Sequence, residues 1–135
     1  MFNRVTSFLG IKDSLDSMTT QEKLILGSQI YNGFVAAAVT FGYFTTPNAS
    51  ATEYFADVGV HVLQAFITAN SSNLTKAASY GANGLRMLDI LRHALAADST
   101  IPNLLNYTDL LNHGEAIAAT TLAICEASKP QKKRA

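Results

Sequence analysis

Apolar residues recur along this chain with the spacing of helices and almost nowhere with the alternation of strands. Residues 2 to 17 set Phe2, Val5, Phe8 or Leu9, and Leu15 on one side, a short amphipathic helix interrupted at Gly10. Thr19-Thr20-Gln21-Glu22 has the form of a capping box, and a long helix follows to about Phe44. Thr45-Thr46-Pro47-Asn48 ends it, because proline disfavours helix in the residue before it. Ser50-Ala51-Thr52-Glu53 is a second capping box. It opens a helix to about Ala69, with Phe55, Val58, Val62, Phe66 and Ala69 as the expected core stripe.

Asn70-Ser71-Ser72-Asn73 breaks the pattern, and a third helix runs from about Leu74 to Ala97 with Leu85, Leu88, Leu91 and Leu95 facing the core. Asp98 to Asn106, which holds Pro102, is the longest connection. The last helix spans about Tyr107 to Ser128, with Leu110, Ile117, Thr121 and Ile124 on one side and Leu111, Ala118 and Leu122 beside them. Four helices joined by short loops predict an all-α fold, a single-domain four-helix bundle. A short N-terminal amphipathic segment (1–18) precedes the bundle domain (19–128), and a basic tail (129–135) follows it. The pattern keeps no heptad and gives no evident tandem repeat.

Charge changes this picture. Ten basic and ten acidic residues make up 15% of the chain, against roughly 25% in ordinary soluble domains. A folded monomer of 14.5 kDa exposes on the order of 6,900 Å², so each charge would serve about 340 Å². Such a deficit predicts that part of the surface is covered. Lys129, Lys132, Lys133 and Arg134 concentrate the positive charge in the tail. That run lacks the interleaved aromatics of a nucleic-acid binder.

The lone Cys125 excludes a disulfide framework and suits a reducing compartment. The N-terminus lacks the pattern of a signal peptide, so a cytoplasmic location is expected. The sequons at Asn48, Asn70, Asn73 and Asn106 then read as caps and turns.

Candidate chemistry is sparse. Each histidine follows an aspartate by four residues: Asp57/His61, Asp89/His93 and Asp109/His113. Such pairs share a helix face and could hold a metal inside a bundle. Asp57 and His61 align with Glu53, Gln64 and Thr68, and Asp89 and His93 with Arg86, opposite the apolar stripes. Exposed surface pairs are therefore expected, with no metal assigned. Cys125, near a negative helix end and beside Glu126, reads as a buried inert thiol. No phosphate loop, dinucleotide fingerprint, nucleophile elbow or HExxH motif occurs, so no catalytic residue and no cofactor are assigned.

Leu24 to Phe44 contains no charged residue and is long enough to span a membrane. Its Ser28, Gln29, Asn32 and Thr40 favour a central bundle helix instead. These features lead to a non-enzymatic helical protein–protein interaction module (adaptor, chaperone-like subunit, effector or regulator), self-associating or bound to a protein partner. One alternative is a metal- or ligand-binding bundle using the Asp/His pairs. Another is a membrane-associated protein using the uncharged helix 24–44.

Overall fold

The computed structural model describes residues 14–96 and 104–130. The expected N-terminal amphipathic segment up to residue 13, most of the long connection and the end of the tail lie outside the described residues. After a turn of helix at 14–17, four helices follow: α1 (Thr20–Thr45), α2 (Ala51–Ala65), α3 (Asn73–Ala96) and α4 (Leu104–Ala127). At 1.5 Å per residue, α1 with its 26 residues is about 39 Å long, and α2 with 15 about 22 Å.

The first three helices start where the sequence predicts, and α4 begins at Leu104, ahead of the expected Tyr107. Thr19 accepts from the Glu22 backbone amide, and Glu22 returns the bond to the Thr19 amide at 2.7 Å. That amide bond, chiefly, holds the Glu22 carboxyl below its usual range. Ser50 accepts from the Glu53 amide. The turn between α1 and α2 passes through Asn48 at φ 60, a left-handed conformation that asparagine tolerates. Helix α2 stops at Ala65, with Phe66 as its cap, short of the expected Ala69. Thr68 and Ser71 then form a hydrogen-bonded turn that competes with a further helical turn.

The chain runs up and down, so the C-terminal ends of α1 and α3 share one end of the bundle with the N-terminal ends of α2 and α4. This is called the upper end below. The closest packing is of α1 on α2 and of α3 on α4, giving two hairpins joined mainly through α1 and α4.

The bundle is turned inside out relative to the expectation. Leu85, Leu88, Leu91 and Leu95 were expected in the core and are exposed, Leu85 by 71%. Phe55, Val62 and Phe66 of the expected α2 stripe are exposed too, as are Phe34, Phe41 and Phe44 of α1. Most of the buried residues are instead polar: Ser28, Asn32, His61, Gln64, Lys76, Ser79, Asn83, Asn112, His113 and Thr120 are buried, and Ile90 and several alanines lie among them. The apolar core is a small cluster of Ile25, Ile67 and Ala123, with Leu122 against it, near the lower end. Periodicity separated the apolar from the polar face in α2 and α3. It could not say that the polar face is the one turned toward the other helices. Cys125, expected buried, is also exposed.

Candidate functional site

The polar seam is built from a repeat. Ser28-Gln29-Ile30-Tyr31-Asn32-Gly33 on α1 corresponds to Ser79-Tyr80-Gly81-Ala82-Asn83-Gly84 on α3. Asp57 and His61 on α2 correspond to Asp109 and His113 on α4. The four shared side chains, Ser, Asn, Asp and His, thus recur once per hairpin, with a one-residue offset. The expectation of no tandem repeat is corrected here. The signal lay in a few polar positions and not in overall similarity.

Both hairpins build the same constellation. His61 Nδ1 lies 2.7 Å from Asn32 Oδ1, and His113 Nδ1 lies 2.8 Å from Asn83 Oδ1. Both asparagines are fully buried, and each histidine is 2% exposed. Asn32 Nδ2 donates to the Ser28 carbonyl at 3.0 Å, and Asn83 Nδ2 to the Ser79 carbonyl at 2.9 Å. These bonds fix which end of each amide is the oxygen. An amide oxygen only accepts, so each Nδ1 donates, and in the neutral ring Nε2 keeps its lone pair. The two imidazoles face each other across the hairpins, with centroids 4.9 Å apart and planes at 25°.

Further polar contacts extend the seam along the bundle. On the lower side, Gln64 Oε1 accepts from Ser79 Oγ at 2.7 Å and from Thr120 Oγ1 at 3.0 Å. Lower still, buried Lys76 donates to the Ala69 carbonyl at 2.6 Å. At the level of the histidines, Tyr31 hydroxyl donates to Asn112 Oδ1, and Asn32 Nδ2 reaches Glu115 Oε2 at 2.8 Å. On the upper side, Arg86 Nη2 donates to Asp57 Oδ2 at 3.0 Å and Nη1 to Asp89 Oδ2 at 2.8 Å. Arg86 Nε stands 2.6 Å from Asp57 Oδ1 but off the line a hydrogen bond needs, so that contact is an ion pair only.

The three Asp/His pairs therefore separate. Asp57/His61 and Asp109/His113 lie in the seam, which corrects the expectation of exposed pairs. Asp89/His93 is on the surface as expected, with the His93 side chain 71% exposed. Among the described residues, no three His, Cys, Asp or Glu side chains gather in a geometry that could hold a metal. No family model matches the chain, and neither a curated protein nor a solved structure is similar to it.

Proposed function

We propose that this protein is a non-enzymatic interaction module that works inside a membrane, its outer faces against lipid and its polar seam sealed within. The inside-out distribution carries this reading. Between Leu24 and Phe44 every exposed residue of α1 is apolar, aromatic or small. The same holds for α2 from Phe55 to Phe66 and for α3 from Ala77 to Leu88. In water such surface would be covered, whereas lipid tails accept it. Polar groups in a bilayer must instead pair with one another, as the seam residues do.

Three further observations support it. Helix α1 is long and apolar enough to cross a membrane, with a mean hydropathy of 1.4. Tyr43, Tyr54 and Tyr107 stand at the upper end, where an aromatic belt would meet the headgroups. Lys23, Lys76 and Lys129 belong to the lower end. The bias of basic residues toward the cytoplasmic side then puts the lower end, where α1 begins and α4 ends, on the cytoplasmic side. Interaction enters through α1. Gly33, Ala37 and Ala38 are exposed, and a Cβ at Gly27, Gly33 or Gly42 would meet nothing within 4 Å. Small residues at this spacing let transmembrane helices approach closely.

A second reading is a soluble, cytoplasmic homo-oligomer that buries the same faces. It is favoured by the length of α2, about 22 Å against a hydrocarbon thickness of about 30 Å, and by Arg92 and His93 on the outside of α3. Flotation of the expressed full chain after a carbonate wash separates the two. Recovery with the lipid is expected. Recovery in the aqueous fraction as a uniform oligomer by light scattering would replace the membrane reading with the second one.

A further inference from the structure

We propose that His61 and His113 form a single proton-binding site, taking up one proton at Nε2 of one ring or the other. The inference goes beyond the membrane reading and does not depend on it, since the seam is the same whether lipid or protein covers the outer faces. Three observations carry it. The Asn32 and Asn83 amides hold both rings in the tautomer that offers an Nε2 lone pair. The rings face each other at 4.9 Å, so a charge on one opposes a charge on the other. The site is also made twice by the same four residue types, so both rings offer the same acceptor atom.

Charged groups from three helices surround the rings. From α2 comes Asp57, from α4 Asp109 and Glu115, and from α3 Asp89 with Arg86. At this level α1 offers Tyr31 and no charged residue, and Lys76 of α3 lies farther down the seam. Carboxylates outnumber the basic groups and so offset part of the cost of burying one imidazolium. A second would meet the first with Asp57 already engaged by Arg86. Uptake forms one N–H bond at Nε2 and breaks none in the protein, and the proton comes from solvent. The Nδ1–H bond to asparagine persists in the charged ring. An asparagine amide does not pass a proton on, so the site stores a proton and does not conduct it.

The test is ¹⁵N NMR of histidine-labelled full chain in detergent micelles, titrated from pH 8 to pH 4, with exposed His93 as the internal reference. At pH 8 both buried rings should show protonated Nδ1 and unprotonated Nε2. On acidification, the two rings together should bind one proton per chain, their signals moving in concert. Asn83→Ala should return His113 to a mixture of tautomers and leave His61 unchanged. Independent binding of two protons, or an Nε2–H form of either buried ring at pH 8, would overturn the proposal. So would one equivalent of metal retained after dialysis against a chelator, which would make the pair ligands. Should Asn83→Ala fail to fold, the wild-type titration decides alone.

Discussion

Phe34 lies at the middle of the uncharged stretch of α1 and is 71% exposed, two residues from the fully buried Asn32. Replacing it with lysine adds a charge without disturbing any contact of the seam. If this face meets lipid, a lysine at the centre of a spanning helix costs about 3 kcal/mol of insertion free energy relative to phenylalanine. At 1.4 kcal/mol per factor of ten, that is about a 140-fold fall in the insertion equilibrium. Snorkelling of the long side chain toward the headgroups trims the effect, and about 2 kcal/mol, near 30-fold, is a reasonable floor. If the face meets water, an exposed Phe→Lys change stays within about 0.5 kcal/mol and raises solubility. The assay is insertion of the full chain into microsomal membranes, scored by resistance to carbonate extraction, with Phe34→Leu as the control. Wild type and Phe34→Leu should remain with the membrane while Phe34→Lys is largely extracted. Equal retention of all three would refute the argument that this face is lipid-exposed. A soluble wild type whose solubility rises with the lysine would refute the membrane reading as a whole.

Other substitutions probe the seam. Asn32→Leu should destabilise the bundle by about 1–3 kcal/mol, the cost of stranding buried partners, measured by unfolding in mixed micelles. Asn83→Leu should cost less, because Asn32 also bonds Glu115 across the hairpins and Asn83 has no equivalent bond among those described. Arg86→Leu leaves Asp57 and Asp89 without their cation. A loss of about 3 kcal/mol is expected, toward the low end for a broken buried pair because both Arg86 and Asp57 are 22% exposed. Asp57→Asn combined with Arg86→Gln should cost less than Arg86→Leu alone, read from the same unfolding curves.

Much of the fold was legible because it depends on local chemistry. The Thr19/Glu22 box, the Pro47 turn and the break at residues 70–73 set helix boundaries through bonds made within a few residues. Which face of each helix points inward is not a local property. Phe55, Val62, Leu85 and Leu88 form the same stripe whether the medium beyond them is a protein core or lipid. The seven residues from Asn32 to Ala38 held the clue in reverse, since the only strongly polar one among them is fully buried. The site was missed for a related reason. Asp57/His61 and Asp109/His113 were recognised as pairs, but the asparagines that anchor the histidines lie 29 and 30 residues earlier in the chain. Only the recurrence of Ser-x-x-x-Asn-Gly links them.

The repeat also separates two kinds of bond in the seam. The bonds from Asn32 to His61 and from Asn83 to His113 stay within a hairpin and use shared residues. Bonds between the hairpins each use a residue that the repeat does not share. Arg86 reaches Asp57, and its counterpart on α1 is Val35. Glu115 reaches Asn32, and its counterpart is Leu63. Gln64 joins Ser79 and Thr120, and its counterpart is Ala116. The positions at which the two halves differ therefore supply the docking of one hairpin on the other, and the shared positions supply each histidine–asparagine pair. Gln64→Ala tests this division, because it gives α2 the residue that α4 already has. It removes the acceptor of two buried hydroxyls; Thr120 keeps the Ala116 carbonyl at 2.8 Å, and Ser79 loses its shorter bond. The expected cost is about 1–2 kcal/mol in unfolding, one stranded buried hydroxyl. The ¹⁵N signature of His61 and His113 should not change, since neither ring's anchor involves Gln64. A tautomer shift in either ring would show that hairpin docking and ring anchoring are one network, and the division drawn from the repeat would fail.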